Sequence, residues 1–211
     1  ISGILSVRLP LERRLTIQPL SAGLRCIVIE ALGTMLVTVI TVVRNNRVGL
    51  ARTIASVRSQ SYQQIEFLVI DGASSDGTTG VIRDNEDIID SWESRPDDGI
   101  YDAMNKGLRR ATGELVLFLN AGDELLTSQS LQAAVNVAAE NAESDVIYFK
   151  AIGDDGRRAG GFERQSALLF DSVGNHQAVL SRTATHQRFP FNSRYRVKAD
   201  RDAQLRMMLA G

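Results

Sequence analysis

The stretch ELVLFLNAGDELL, residues 114–126, decides how this chain folds. Its five consecutive apolar residues, Leu115–Leu119, are typical of a strand buried on both faces of a sheet. The chain turns polar immediately afterwards, through Asn120, Gly122 and Asp123. A core strand that ends by delivering a carboxylate predicts a functional site at that end.

Two earlier segments repeat this arrangement. Residues 36–43, LVTVITVV, are rich in β-branched residues and run into RNN, and residues 65–70, IEFLVI, run into DG. Apolar residues between them, in 50–57, recur at helical spacing. Strands that alternate with helices predict an α/β fold with a mostly parallel, Rossmann-like sheet. Such sheets bind ligands beyond the carboxyl ends of their strands, where all three polar segments would lie.

The rest of the chain continues the pattern. Further strands are predicted at 91–94, 145–152 and 176–182, with a hairpin turn at 154–157. Further helices are predicted from apolar residues in 81–89, 100–111, 131–138 and from 199 onwards.

Composition excludes several classes of function. The 211 residues are 44% apolar and 23% charged, with a formal net charge of −1 and no long run of like charge, so we expect no nucleic-acid partner. Cys26 is the only cysteine, which rules out a disulfide or a cysteine metal cluster within one chain and favours a reducing compartment. The longest apolar stretch, 31–43, is too short to span a bilayer.

Residues 1–34 differ in character from residues 35–211. They carry scattered arginines without a clear period, and Met35 stands just before the first regular strand. We interpret 1–34 as a non-native or poorly ordered N-terminal extension and 35–211 as the functional domain. The alternative for 1–34 is a basic targeting or membrane-lying segment.

Familiar ligand motifs are missing from the expected places. The turn after the first strand, RNNRVGL, lacks the glycine fingerprint of dinucleotide sites, and no G-x-x-x-x-G-K-[ST], G-x-S-x-G or H-E-x-x-H string occurs. What remains is a set of acids at strand ends. Such acids suit Mg²⁺ or Mn²⁺ bridging to a phosphate ligand, for which one carboxylate, here Asp123, is enough.

Four segments together carry a resemblance to a known family. They are LVTVITVVRNN, QSYQQIEFLVIDGASSDGT, RPDDGIYDAMNKGLRRATGELVLFLNAGDE and HQAVLSR. They resemble glycosyltransferase family 2, inverting enzymes of the GT-A fold, and most of all its bacterial exopolysaccharide and colanic-acid-type branch. The resemblance implies transfer of a sugar from a nucleotide-diphosphate donor to a glycan or lipid-linked acceptor. It also implies a cytoplasmic location, with peripheral association at the inner face of the cytoplasmic membrane.

The resemblance also assigns roles to individual residues. Asp71 matches the first acid of the family's Asp-Asp nucleotide-binding pair, whereas Gly72 stands where many members have the second. The positions expected to contact the nucleotide sugar are Thr41, Val42, Arg44, Asp71, Asp98, Asn105, Lys106 and Asn120. For Lys106 the alternative is a solvated helix residue.

The metal ligand and the base are implied by the same resemblance. Asp123 is the expected ligand of Mg²⁺ or Mn²⁺. His176 is a second candidate, for which the alternative is a hydrogen-bonded strand histidine, and Glu124 is a helper of the metal or else a solvated loop residue. Asp200 is the expected general base and Asp202 the fallback, although Asp200 could simply cap a helix. His186 has no matching context and is interpreted as a surface residue.

Two other functions stay open at this point. Family members usually continue beyond the point where this chain stops, so we expect a C-terminally truncated domain. That favours a catalytically inactive sugar-nucleotide-binding protein as the alternative. A nucleotidyltransferase is the third hypothesis, but it would carry a glycine- and basic-rich loop where this chain has RNNRVG.

Overall fold

A computed structural model gives the fold of residues 7–8, 14–19, 25–30, 34–149, 151–152, 158–159 and 179–210. The chain divides into two compact units, Ile1–Met35 and Leu36–Gly211. In the first unit, strands β1 (Val7–Arg8), β2 (Arg14–Pro19) and β3 (Arg25–Glu30) pair antiparallel in that order. The sequence pattern did not predict these strands. That residues 1–34 are a non-native extension stays a prediction.

The second unit is built on a six-stranded sheet. Its strands are β4 (Val37–Val43), β5 (Ile65–Asp71), β6 (Ser91–Ser94), β7 (Leu115–Phe118), β8 (Val146–Tyr148) and β11 (Val179–Arg182). Their order is β6-β5-β4-β7-β11-β8, in which β4 pairs parallel with β5 and β7, and β5 pairs parallel with β6. Strand β11 runs antiparallel to β7 and β8. The predicted α/β fold is confirmed, and the sheet is mixed.

The described part of this unit contains six helices. They are α1 (Arg47–Arg58), α2 (Thr78–Arg83), α3 (Ile100–Leu108), α4 (Ser130–Glu140), α5 (Thr183–Arg188) and α6 (Ala199–Ala210). Helix α2 ends at Arg83, so its predicted continuation through Ile88 and Ile89 is wrong. There the chain forms turns, in which the Asn85 amide donates to Val81 O and the Asp90 carboxylate accepts from Phe67 N. Among the helices of the described ranges, none has the length and hydrophobicity needed to cross a bilayer.

The segment after α4 differs in detail from the prediction. The strand predicted at 145–152 is split into β8 and β9 (Ala151–Ile152), and β9 pairs antiparallel with β10 (Arg158–Ala159). The hairpin turn predicted at 154–157 lies outside the described residues, as does the start of the strand predicted at 176–182.

The core lies between α3 and the sheet. All seven residues of β4 are buried, and Ile40 and Met104 are fully buried in one cluster with Phe118. A β-carbon at Gly107 would lie 2.5 Å from Ile40 Cγ2, so only glycine lets α3 approach the central strand this closely. This packing fixes α3, and with it the loop that precedes it, over the carboxyl end of the parallel strands.

Candidate functional site

The register of the parallel strands brings three polar loops to one edge of the sheet. Val43 pairs with Asp71, and beyond the end of β7 the backbone continues alongside β4, with Ala121 N donating to Val42 O at 3.1 Å. Side chains then join the loops, because Asn46 Nδ2 donates to Ala121 O at 3.0 Å and Asn45 Oδ1 accepts from Ser75 N at 2.8 Å. The polar segments predicted to meet at the carboxyl ends do meet.

Asp71 is fully buried at this edge, and its carboxylate is hydrogen-bonded to protein groups. Its Oδ2 accepts from Ser74 N at 3.0 Å and from Ser94 Oγ at 2.5 Å, while its Oδ1 accepts from the Ser74 hydroxyl. The carboxylate therefore ties the loop after β5 to the end of β6. Its predicted contact with the nucleotide stays a prediction.

Asp97 is a residue of this edge that was not predicted from the sequence. A β-carbon at Gly72 would overlap Asp97 Oδ2, so the absence of a side chain at 72 lets this carboxylate lie against the end of β5. Asp97 is half-buried, and its Oδ1 accepts from Gly99 N at 3.0 Å. The signal in the sequence was the glycine itself, together with the adjacent acids of RPDDG. The predicted Asp98 is exposed, one residue further on.

Helix α1 holds the Asn120–Asp123 loop in place. The buried Thr53 hydroxyl donates to Asp123 O at 2.7 Å and accepts from Gly122 N at 3.0 Å. Gly122 has φ +108°, which favours glycine. Arg52 Nε donates to Glu124 Oε1 at 2.6 Å, so Glu124, the predicted helper of the metal, forms an ion pair instead of facing solvent alone. Thr53 was not predicted.

Asp123 is left available by this arrangement. Its carboxylate is half-buried and has no hydrogen-bond or ion-pair partner among residues 34–149 and 179–210. A single, rigidly held carboxylate fits Mg²⁺ or Mn²⁺, which take hard oxygen ligands and complete their shell with water and phosphate. No group of three or more His, Cys, Asp or Glu that could hold a metal ion occurs in the described ranges. His176, the second predicted ligand, lies outside them.

The two predicted bases differ in their surroundings. Ala199 at the start of α6 is fully buried and fixes the position of Asp200, whose Oδ1 lies 3.3 Å from the Tyr101 hydroxyl. Burial, and then the charge of Asp200, raise the pKa of Tyr101, so its hydroxyl keeps its proton and donates. Asp202 Oδ2 instead pairs with Arg206 at 2.8 Å. The two acids therefore differ in their partners: Asp200 lies beside a neutral hydroxyl, and Asp202 forms an ion pair.

The other predicted contact residues mostly have partners within the protein. Thr41 is buried and donates to Leu119 O at 2.7 Å. Asn105 Nδ2 donates to Phe191 O at 2.7 Å, and Asn105 Oδ1 accepts from Phe191 N at 3.0 Å. Lys106 pairs with Asp102 at 2.9 Å and donates to Pro96 O at 3.0 Å. Val42 is buried and Arg44 exposed. The ligand roles of all five stay predictions.

His186 is not a surface residue, so that interpretation is wrong. It is 4% exposed, and its ring packs against Phe118 and Phe191 with centroid distances of 5.2 and 4.9 Å. Nδ1 lies 2.9 Å from Ser181 Oγ, and Nε2 has no partner among the described residues. Burial, and then the charge of Arg206, lower the pKa of His186 to about 3. The imidazole is therefore neutral in the folded protein at neutral pH.

The buried His186 predicts an acid-sensitive stability. Its pKa is about 3 when folded and about 6.5 when unfolded, so between these values the unfolded chain binds the extra proton. The contribution of the neutral His186 to the free energy of unfolding is fully present above pH 6.5. It falls by up to about 1.4 kcal/mol per pH unit as the pH drops towards 3. Urea unfolding of wild type and His186→Phe at neutral and mildly acidic pH checks this. Equal pH dependence in both proteins would contradict it.

Curated relatives of the chain are glycosyltransferases. It is 46% identical over 88 residues to an uncharacterized glycosyltransferase of Mycobacterium tuberculosis, covering 41% of this chain and 34% of the relative. It is 34% identical over 158 residues to the PGL/p-HBAD biosynthesis glycosyltransferase of Mycobacterium bovis, covering 72% and 61%. It is 34% identical over 87 residues to the GalNAc(5)-diNAcBac-PP-undecaprenol beta-1,3-glucosyltransferase of Campylobacter jejuni, covering 39% and 28%. The chain thus spans less than two thirds of the length of these relatives.

Two solved structures share the fold of this chain. S. aureus TarS (residues 1–349) superposes with a TM-score of 0.70 at 22% identity, covering 83% of this chain and 56% of that one. The mannosyltransferase PcManGT of Pyrobaculum calidifontis, in complex with GDP-Man and Mn²⁺, superposes with a TM-score of 0.67 at 19% identity, covering 85% and 53%.

A model of the family described as "Glycosyl transferase family 2" matches residues 38–201, which include every strand of the six-stranded sheet except the first residue of β4. The match extends from the first parallel strand to the first turn of α6, where Asp200 lies. The chain belongs to glycosyltransferase family 2, a family of sugar-transferring enzymes.

Proposed function

We propose that this chain transfers a sugar, with inversion, from a nucleotide-diphosphate donor to a hydroxyl of a glycan or lipid-linked acceptor. One observation carries the proposal: the Asp123 carboxylate has no protein partner among the described residues, yet α1 holds its loop where the ends of β4 and β7 meet. A carboxylate kept rigid but unused in the fold is suited to a ligand.

The donor side of the site would include a divalent cation. Asp123 would hold Mg²⁺ or Mn²⁺, and the ion, when bound, stabilises the negative charge of the departing diphosphate. A related fold in complex with GDP-Man and Mn²⁺ supports this assignment. Exposed Arg44, at the end of β4, adds a positive charge on the same edge of the sheet.

The acceptor side would be formed by α6 and α3. Inversion by direct displacement needs a base that takes the proton of the acceptor hydroxyl as its oxygen attacks the anomeric carbon, and no covalent enzyme intermediate. Asp200 would be this base. The Tyr101 hydroxyl, 3.3 Å from Asp200 Oδ1, orients the carboxylate.

The acceptor belongs to the synthesis of cell-surface polysaccharide or glycolipid in this proposal. The name of the Campylobacter relative, which contains PP-undecaprenol, supports a lipid-linked intermediate. Another relative is named for PGL/p-HBAD biosynthesis, so the relatives do not favour the exopolysaccharide branch in particular. An enzyme acting on such acceptors would work in the cytoplasm, at the inner face of the membrane.

An exposed basic segment supports peripheral membrane association. Residues 193–198 are all exposed, and three cations (Arg194, Arg196 and Lys198) alternate there with Tyr195 and Val197, which are 48% and 74% exposed. Asp200 lies just beyond this segment. Cations interleaved with apolar side chains suit an anionic lipid surface.

We therefore expect this segment to bind anionic vesicles. The double variant Arg194→Gln/Arg196→Gln should lose at least about tenfold in binding to phosphatidylglycerol vesicles, since each cation contributes about 1 kcal/mol near such a surface. Co-sedimentation measures it, with Arg83→Gln/Arg109→Gln as the charge-matched control. If the two double variants bind phosphatidylglycerol vesicles equally, the assignment is wrong. It is also wrong if wild type binds neutral vesicles as tightly as anionic ones.

Nucleotide binding tests the proposal as a whole. In titration calorimetry with UDP and GDP, each with and without Mn²⁺, one nucleotide should bind at least about tenfold more tightly with the metal. Turnover of the matching sugar nucleotide with an acceptor separates a transferase from a protein that only binds the donor, and release of pyrophosphate would indicate a nucleotidyltransferase. If neither nucleotide binds in the presence of Mn²⁺, the proposal is wrong.

A further inference from the structure

We propose that Asp97, and not Asp71, is the acid at the end of β5 that contacts the donor's nucleobase, and that it selects bases presenting a ring N–H. This inference rests on the proposed function. It adds a specificity-determining residue that lies outside the strand and was not predicted from the sequence.

Asp71 is already committed to the fold. It is 0% exposed, and both carboxylate oxygens accept hydrogen bonds from the protein, three in total from Ser74 and Ser94. A ligand would have to displace these donors and open the loop to reach it. Asp71 is therefore a positioning residue for the loop after β5.

Asp97 supplies the ligand-accessible charge that Asp71 does not. Its Oδ2 lies where a side chain at position 72 would begin, directly at the end of β5. Gly99 N fixes the other oxygen, Oδ1, at 3.0 Å, and Oδ2 has no partner among residues 34–149 and 179–210. The carboxylate is thus held from one side, half-buried, with one oxygen available.

The order of the strands indicates which part of a donor reaches Asp97. Asp123 lies beyond β7, β4 is the next strand, and β5 and β6 come after it. Neighbouring strands are about 4.8 Å apart, so a nucleotide whose diphosphate lies at Asp123 extends its ribose over β4 and its base towards β5. A carboxylate also repels phosphate, which places Asp97 at the base end of the ligand.

The chemistry of a carboxylate then selects the base. An ionised Asp97 only accepts hydrogen bonds. Uracil and guanine present a ring N–H at the pairing edge, whereas cytosine and adenine present a ring nitrogen lone pair there, which the carboxylate repels. The site therefore favours UDP or GDP over CDP and ADP. An asparagine at 97 both donates and accepts, so it would not discriminate in this way.

The ratio of affinities tests this inference. With Mn²⁺ present, calorimetry on wild type should show UDP or GDP binding at least about tenfold more tightly than CDP and ADP, since mismatched polar groups are left unpaired. Asp97→Asn should reduce the ratio to about threefold or less. Asp84→Asn, which removes an exposed carboxylate at the end of α2, should keep it.

An exchange of the two positions adds a second test. The double variant Gly72→Asp/Asp97→Gly places a carboxylate on residue 72, at the end of β5, and removes the Asp97 side chain that would overlap it. We expect its ratio of nucleotide affinities to equal that of wild type. A purely structural role of Asp97 would change all four affinities alike, and contact with the ribose would do the same. An unchanged ratio in Asp97→Asn overturns the inference alone. Absence of any metal-dependent binding in wild type overturns the proposed function as well.

Discussion

Replacing Asp123 by asparagine is expected to lower the kcat of sugar transfer by about 10²–10⁴-fold. Asp123 would hold the proposed Mg²⁺ or Mn²⁺, whose stabilisation of the charge on the leaving diphosphate would be worth several kcal/mol in the transition state. Asn keeps the size of the side chain and removes the charge that holds the ion. Donor turnover at saturating nucleotide sugar and Mn²⁺ measures the loss, and nucleotide calorimetry shows whether the Mn²⁺ dependence of binding disappears with it.

Glu124 provides the matched control for this prediction. It is the next acid in the chain, but it pairs with Arg52 on α1, so Glu124→Gln should cost less than about tenfold in kcat. Thr53→Val is expected to fall between the two, because it removes the hydroxyl that bonds Gly122 N and Asp123 O while leaving the carboxylate. Undiminished Mn²⁺-dependent binding in Asp123→Asn would contradict the assignment of the metal site.

The central parallel strands β4 and β7 could be predicted because they are buried on both faces. Residues 37–43 and 115–118 are all buried, so these segments are rich in apolar and β-branched residues and do not alternate with charged ones. The antiparallel direction of β11 could not be predicted, since three consecutive buried residues look the same in either direction. The early end of α2 was missed because the Asn85 side-chain amide donates to Val81 O, the carbonyl that the Asn85 backbone N–H would use in a continued helix.

The location of the site at the carboxyl ends of the strands was predictable, but the role of each residue within it was not. Parallel strands bring their carboxyl ends together, and this alone placed the loop of Asp123 near Asn46. Which acid is committed to the fold depends on donors far away in sequence: Ser94 is 23 residues from Asp71. Thr53 lies 69 residues from Gly122, and its role appears only in the folded chain. Likewise, nothing local to His186 revealed that Phe118 and Phe191 enclose it.

Replacing Asp200 by asparagine is expected to reduce kcat by about 10²–10⁴-fold while leaving the Kd of the nucleotide within about threefold of wild type. The carboxylate would act only on the acceptor, after the donor and metal have bound elsewhere on the edge of the sheet. The chain offers an internal comparison two residues away, because Asp202 is held by Arg206 in an (i,i+4) ion pair on the same helix. Asp202→Asn removes the same charge from α6 but breaks only a half-exposed pair, so a kcat loss below about threefold is expected.

Two variants, Tyr101→Phe and Asp200→Asn, together decide whether Asp200 acts as a base or only caps α6. It removes the hydroxyl 3.3 Å from Asp200 Oδ1 and leaves the ring packed against Phe191, with a centroid distance of 5.5 Å. If Asp200 is the base, this variant should lose about three- to tenfold in kcat and shift the acidic limb of the pH–rate profile, with unchanged stability of α6. If Asp200 only caps the helix, Asp200→Asn should lower the free energy of unfolding by about 1 kcal/mol and slow transfer no more than Asp202→Asn does.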